Sequence, residues 1–351
     1  MIAMWLVIVA AVDGGATDAG VAQVADAGVA GTWRMSQKLG KGKPEREALI
    51  TELTRTGGGV GEAALTKAEA EAILDDPRAD LVYGEKTISI VAPSMVSRHR
   101  QEHIDLMKRF LQPERVEAGT KFMKDKETVL EAVEKKTGVD REVIIGILMW
   151  ESKLGTITGD YVAFNSLASQ AYFIDEANTE ALKRNEEKEL LALNAPTKKK
   201  GAKPPTEEEL AKLAAQREEL AKKQANRVES IRSRGRKNLL ALLRQCKARG
   251  IDVFTMKGSW AGALGFPQFM PASLRWAEDG NGDGKIDLFE MDDAIASVGK
   301  YLQAANFKKS KRDAVYDYNH EAAYVEGVLA FANALEFGLD AGVPGEVDAG
   351  H

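Results

Sequence analysis

The chain has one cysteine, Cys246, and four histidines in 351 residues. A single cysteine excludes an intrachain disulfide and any multi-cysteine zinc centre. Four histidines leave little material for a histidine-based metal site. Cys246 falls at helical spacing after Leu239, Leu240 and Leu243, the setting of a small buried apolar residue. Neither charge dominates: 48 basic residues against 53 acidic ones leave a net charge of -5, so no basic field favours nucleic acid. Long apolar runs are also missing. The run Ile2–Val12 is too short to span a bilayer. It is similar to the apolar core of an export signal, although no Lys or Arg precedes it. No cysteine follows it, which excludes lipid attachment at an N-terminal cysteine. Strand signals are sparse and no internal repeat stands out. With 44% hydrophobic residues the chain can still bury a sizeable core, and it reads as mainly α in one or two domains.

Residues 13–43 are rich in Gly, Ala and Asp and read as a low-complexity tether. Residues 44–95 read as a small helical preamble. Glu45–Thr54 carries one helical pattern, Gly57–Gly59 breaks the chain, and Thr66 stands as a cap before a second pattern over Lys67–Leu74. The main body is expected over 96–183 and 237–337. Helical spacing marks Arg98–Leu111 and Val116–Thr137. Asp140 then precedes the apolar run Val143–Trp150, which periodicity alone leaves open between buried helix and buried strand. The Asp cap and the closing Gly155 favour a helix. Residues 184–236 differ in kind, with Lys198–Lys200, Pro204-Pro205, Glu207–Glu209 and then a Lys/Arg/Glu/Ala segment with few apolar positions. They read as a solvated, charged helical insertion. Helices are expected over Lys237–Arg249, Asp292–Ala305 and Glu321–Phe337, and residues 338–351 as a disordered tail.

Four segments carry chemistry. In Trp150-Glu151-Ser152-Lys153-Leu154-Gly155, Glu151 is the only acidic residue between Glu142 and Asp160, and it ends an apolar helix. Apolar burial and the negative end of the helix dipole both favour the protonated carboxyl, the form that donates to a glycosidic oxygen. The bland alternative is a carboxylate turned to water or paired with Lys153. In Ser259–Pro271, small residues allow close backbone approach, Trp260, Phe266 and Phe269 offer faces to sugar rings, and Gln268 adds a neutral donor and acceptor. A tight helix–helix contact is the competing reading. Asp279–Glu290 fits the pattern D-x-N-x-D-G-x-x-x-x-x-E of a calcium loop. Asp279, Asn281 and Asp283 supply side-chain oxygens, Lys285 its carbonyl, Asp287 position nine, Gly284 the sharp turn, and Glu290 the closing carboxylate. With only one such loop, a structural Ca2+ ion is expected rather than a calcium switch; an Asx/Gly turn without metal is the alternative. The last segment, Tyr316–His320 followed by Tyr324-Val325, offers groups for sugar hydroxyls and acetamido groups. His99-Arg100-Gln101-Glu102-His103 matches an inverted zinc-peptidase pattern, but its polar surroundings read as a solvated helix face.

In this order and combination, E-S-x-L-G, G-S-W-A-G-A-L-G-x-x-Q-F-M-P, the acidic loop and Y-N-x-x-x-x-Y-V resemble the B-type membrane-bound lytic murein transglycosylases, over roughly Val96–Phe337. The resemblance implies a lysozyme-like, goose-type catalytic core with Glu151 as the catalytic acid. It places Ser259 and Gln268 in a glycan cleft, Tyr301 beside the acid, and Tyr318, Asn319 and Tyr324 in an aromatic wall. It implies Asp279, Asn281, Asp283 and Lys285 as ion ligands. It favours Asp293 to complete the site, where the plain loop pattern favours Glu290. The long insertion and the missing lipidation cysteine depart from the family pattern. The implied partner is the glycan strand of peptidoglycan, met in the periplasm or cell envelope by a monomer, with membrane attachment left open.

The resemblance also implies the reaction. Glu151 protonates the oxygen between N-acetylmuramic acid and N-acetylglucosamine. It then takes the proton of the muramyl C6 hydroxyl, which closes on C1 to give a 1,6-anhydro end. A hydrolase of lysozyme type and a calcium-stabilised wall-binding protein without activity are the rival readings.

Overall fold

The structure is a computed structural model and describes residues 33–56, 61–80, 110–183 and 207–339. The apolar run 2–12, residues 13–32, Gly57–Gly59, most of the helix expected over Arg98–Leu111 with its His99/His103 pattern, Lys198–Pro205 and all but two residues of the expected tail lie outside the described residues.

The described chain is built from helices. The preamble contains α1 (Ser36–Leu39), α2 (Pro44–Thr54) and α3 (Lys67–Leu74). Then come α4 (Pro113–Asp125), α5 (Glu127–Thr137), α6 (Arg141–Ser152) and α7 (Ala163–Tyr172). The long α8 (Glu207–Arg249) is followed by α9 (Met291–Ala304), α10 (Lys311–Tyr318) and α11 (Ala322–Phe337). The only ladder among the described residues pairs β1 (Tyr161–Val162) with β2 (Lys257–Gly258), antiparallel, with Tyr161 opposite Gly258. No helix among the described residues is long and apolar enough to cross a membrane.

The apolar run 143–149 is helix α6, buried throughout against α11 and α9. Burial of each such side chain contributes about 1.5–3 kcal/mol. Asp140 occupies the N-cap position but makes no capping bond; its carboxylate pairs with Lys311 instead. The other end also departs from expectation. Lys153 and Leu154, at φ 48° and 55°, turn left-handed before Gly155 does. Their N–H groups bond back to the carbonyls of Met149 and Leu148 at 3.1 Å each, so the helix stops at Ser152. Such turns cost roughly 1–3 kcal/mol at non-glycine residues, and here they follow the residue of greatest chemical interest, Glu151, by two and three positions. The helix expected over Val116–Thr137 is two helices, divided at Lys126.

Three further boundaries differ. The tether does not extend to residue 43: Met35 and Leu39 are 2% and 1% exposed in the core. The buried Arg46 holds α1 down by donating to the Leu39 carbonyl and pairing with Asp75, both at 3.0 Å. Thr66 does cap α3, in a reciprocal capping box with Glu69. The solvated insertion does not extend to residue 236 either. Helix α8 runs unbroken through it, and Val228, Ile231, Gly235, Leu239, Leu242 and Cys246 are buried. Those positions recur every three or four residues, so they form one stripe, laid along α7 and helical residues 174–183. Cys246 is buried as expected, and burial pushes its thiol up to about 12.

Two large hydrophobic clusters result, beside a small third one between residues 174–183 and α8. One joins the preamble, α7, α8 and the Gly-rich segment; the other joins α4, α5, α6, α9 and α11. Tyr301 and Tyr318 pack against both. The seam between the cores is therefore aromatic, and it passes beside the end of α6.

Candidate active site

Glu151 lies in the last turn of α6. The residue keeps part of its surface open, while neighbouring groups enclose its carboxyl. Loss of water raises its pKa from the ordinary 4.5 to about 7. The opposing influence is the Tyr324 hydroxyl, which donates to the carboxyl and lowers the value. Tyr324 is fully buried. Burial first, and then the charge of Glu151, hold its phenol well above the usual tyrosine range, and the same two causes act on Tyr318. Burial is the largest cause of the Glu151 shift. No second carboxylate contributes to the Glu151 shift. Asp160 is exposed, directly before β1.

The tyrosines form a row. Tyr324 and Tyr318 stack with ring centres 6.5 Å apart and planes 8° from parallel. Tyr318 meets Tyr301 at 4.8 Å, and Tyr301 meets Trp276 at 4.8 Å. The hydroxyls of the half-buried part of the row are anchored: Tyr318 donates to the Pro267 carbonyl at 2.6 Å and Tyr301 to the Asp317 carbonyl at 2.9 Å. Trp150 backs Tyr324 at 5.2 Å. Trp276 and Trp150 were not singled out from the sequence as members of this row. The available signal was slight: one directly precedes Glu151, and the other stands three residues before the acidic loop.

The Gly-rich segment folds back on itself by bridges from Gly258 to Leu264 and from Leu264 to Phe269. At Gly265 the backbone is left-handed, φ 68°, and a Cβ there would lie 2.4 Å from the Leu288 carbonyl oxygen. The turn thereby ties the cleft segment to the end of the acidic loop. Gln268 is also left-handed, φ 51°. Its amide nitrogen donates to the carbonyls of Gly265 at 2.8 Å and Thr158 at 3.2 Å. That donor is thus spent on the turn. Ser259 accepts from the Ala263 N–H at 3.2 Å. Asn319 ends α10, its N–H bonded to the Val315 carbonyl at 3.2 Å. Of the aromatics expected to face sugars, Trp260 and Phe269 are 7% and 2% exposed and belong to the core. Their place along the seam is taken by Tyr301, Tyr318 and Trp276, which are partly open.

In the acidic loop every predicted side chain is engaged with backbone. Asp279 accepts from the N–H groups of Gly282 at 2.6 Å and Gly284 at 2.8 Å, with Gly284 left-handed at φ 81°. Asn281 and Asp283 each accept from the residue two positions on, at 2.9 and 2.8 Å. Asp287 does the same toward Phe289 at 2.9 Å. Glu290 is the N-cap of α9, accepting from the N–H groups of Asp292 and Asp293. Asp293 is 1% exposed and joins the two ends of the loop, accepting from Gly280 at 2.8 Å and Asp287 at 2.7 Å. Among the described residues no three Asp, Glu, His or Cys side chains converge as a metal-binding group. The loop is a folded turn of hard oxygen donors, and Glu290 and Asp293 serve its ends.

A family model described as the transglycosylase SLT domain matches residues 60–323. The membrane-bound lytic murein transglycosylase B of Escherichia coli is 27% identical over 209 residues, which cover 59% of this chain and 43% of that protein. The chain thus spans less than half the length of this curated relative. Among solved structures, the Escherichia coli lytic transglycosylase Slt35 in complex with calcium superposes with a TM-score of 0.54 at 17% identity, over 85% of this chain and 94% of that one. SltB3 of Pseudomonas aeruginosa in complex with NAG-anhNAM-pentapeptide gives 0.55 at 17% identity, over 84% and 79%.

Proposed function

The chain belongs to the transglycosylase SLT domain family, and we propose that it cleaves the glycan strand of peptidoglycan between N-acetylmuramic acid and N-acetylglucosamine, leaving a 1,6-anhydromuramyl end. The observation that carries this reading is the isolation of Glu151: a carboxyl held near pKa 7 by burial, touched by a tyrosine and by no second carboxylate. Glycosidases that use water or a covalent intermediate place two carboxylates about 5–9.5 Å apart across the bond. With one carboxyl available, the same group serves twice. Protonated Glu151 gives its proton to the bridging oxygen, and the C1–O bond breaks. The resulting carboxylate then removes the proton of the muramyl C6 hydroxyl, whose oxygen forms the new bond to C1. The proton count closes and Glu151 is regenerated. The ligand of SltB3 supports the substrate class, since it carries an anhydro-sugar.

In this reading Tyr324 orients the carboxyl. Tyr318 and Tyr301 line the cleft, and Ser259, Gln268 and Asn319 hold the sugar, Gln268 through its carbonyl oxygen because its amino group is committed. A Ca2+ ion, the ion in the Slt35 complex, is suited by the oxygen donors of the loop: the side chains of Asp279, Asn281 and Asp283 and the Lys285 carbonyl. It would stiffen the loop that braces the Gly265 turn. The protein would act as a monomer in the periplasm.

The test is product mass spectrometry on purified sacculi, run with wild type and Glu151→Gln. Anhydro-muramyl ends released by the wild type alone are expected. Reducing ends would assign a hydrolase, and binding to sacculi without release of product would assign a wall-binding protein.

A further inference from the structure

We propose that Trp150 is a positioning residue for the acid: seated in a hollow that Gly327 leaves on α11, it fixes the last turn of α6 so that the Glu151 carboxyl meets the Tyr324 hydroxyl. The inference rests on the reading of Glu151 given above.

Three glycines let α4, α6 and α11 pack closely, and they do not serve the same end. A Cβ on Gly146 of α6 would lie 3.0 Å from the Val328 carbonyl oxygen, so two helix backbones nearly touch there. A Cβ on Gly119 of α4 would lie 2.9 Å from the Leu335 side chain and 3.0 Å from the Phe331 ring. These two contacts join helices. At Gly327 of α11 the neighbour is different. A Cβ there would lie 2.7 Å from Cζ3 of Trp150 and 3.5 Å from its Cε3 and Cη2. The ring edge of the residue directly before Glu151 thus takes the place of a side chain. Gly327 is buried within α11, and its backbone is not left-handed. No turn demands glycine there, and a helix interior favours alanine over it. What the missing side chain provides is room for the indole.

The contacts between the end of α6 and α11 lie one helical turn apart. Tyr324 and Gly327 are three positions apart and share a face of α11. Trp150 and Glu151 are adjacent in the last turn of α6. Trp150 meets Gly327 while Glu151 receives the Tyr324 hydroxyl. Phe110 closes on the indole with ring centres 4.3 Å apart, and the Tyr324 ring stands edge-on to it at 5.2 Å and 70°. An indole held on three sides resists both sliding and rotation of the turn that carries it. The hold matters because the chain leaves the helix two residues after Glu151, through left-handed Lys153 and Leu154, and terminal turns are where helices fray. Tyr324 is the one side chain that acts on the Glu151 carboxyl, and Tyr318 is the next titratable group behind it. A small rotation of the last turn would therefore break the bond.

The test uses the whole protein. Gly327→Ala puts a methyl group where the ring edge lies and pushes Trp150 aside. Trp150→Phe/Gly327→Ala shortens the ring and returns the room. The first readout needs no substrate: the titration of the Glu151 carboxyl, followed by NMR with isotope-labelled glutamate and assigned by its absence in Glu151→Gln. Gly327→Ala is expected to move this titration in the direction that Tyr324→Phe moves it, and to add nothing in a Tyr324→Phe background. The paired variant should return most of the way to wild type. On soluble glycan strands kcat of Gly327→Ala should fall about tenfold, the effect of a slightly misplaced acid, while KM changes little. Should Gly327→Ala be too unstable to study, Trp150→Leu loosens the same contact without overpacking and should shift the titration the same way. A folded variant of either kind that keeps the wild-type titration, or shifts it opposite to Tyr324→Phe, overturns the proposal. An equal shift with and without the Tyr324 hydroxyl also overturns it and leaves Trp150 as core packing alone. If wild type releases no product, the activity reading fails by itself, and the carboxyl titration still decides the role of Trp150.

Discussion

Glu151 and Asp293 are both acidic side chains withdrawn from water near a helix end, and the fold treats them in opposite ways. Asp293 lies in the first turn of α9, where N–H groups are available, and each of its oxygens accepts from loop backbone. Glu151 lies in the last turn of α6, where only carbonyls point outward. A phenol is the group that donates to it, and its pKa stands near 7. The same functional group is thus a structural clasp in one place and a reservoir for one proton in the other. The difference is set by the donors around it rather than by burial alone.

The strongest way to break the comparison is to remove one carboxyl at a time. Glu151→Gln keeps shape and burial but cannot release and recover a proton. Its rate of release of glycan products should fall by more than about a hundredfold, the usual size of a general-acid contribution. Its stability should respond in the other direction. The folded pKa of Glu151 lies above the unfolded value of 4.5, so its contribution to stability is full below that pH and is lost as pH rises through about 7. The Gln variant should therefore gain on wild type well above pH 7, by on the order of 3 kcal/mol, read from urea unfolding at two pH values. A gap between the two proteins that does not change with pH would show that Glu151 is solvated.

Asp293→Ala makes the opposite cut. It leaves the N–H groups of Gly280 and Asp287 without their acceptor in a buried site, at a cost of about 2–4 kcal/mol. The midpoint of urea unfolding should fall accordingly, while the folded fraction keeps catalysis within a few-fold of wild type. Loss of activity with unchanged stability would instead make Asp293 part of the reaction.

The two carboxyls were not equally legible in the sequence. Glu151 stands out because an apolar run leads directly to it; the run by itself fits helix or strand, and Asp140 and Gly155 at its ends favour the helix. Asp293 is one of several acids in a short stretch, and only the fold shows that it closes the loop while Glu290 caps α9. Long-range partners account for the other differences. The stripe Val228–Ile231–Gly235 is diluted by Arg and Glu, and it reads as core only once α7 lies along it. Trp260 and Phe269 look like sugar platforms among glycines, but the fold buries both. Helix ends chosen by composition failed where the chain uses left-handed Lys153 and Leu154 without waiting for Gly155.

A calcium titration sharpens the comparison from the side of the loop. If the loop binds the ion in the folded state only, Ca2+ at a hundred times its Kd should add about 2.7 kcal/mol, a rise of several degrees in Tm. Asp279→Ala should abolish the rise, and Asp279 in any case organises Gly282 and Gly284. An identical Tm in calcium and in chelator would leave the loop as a turn held by its own hydrogen bonds.

The smallest expected effect tests the phenol. Tyr324→Phe removes the hydroxyl that donates to Glu151 and keeps the ring against Trp150 and Tyr318. That hydroxyl favours the ionised carboxyl, so its loss should raise the Glu151 pKa further. The alkaline limb of the pH–activity profile, where the acid is lost by ionisation, should then move to higher pH. Activity near neutrality should change only a few-fold, because the proton is retained while the carboxyl loses an orienting bond. A limb that moves to lower pH would mean that the hydroxyl serves the protonated carboxyl, and that Tyr324 accepts from Glu151 in the resting state.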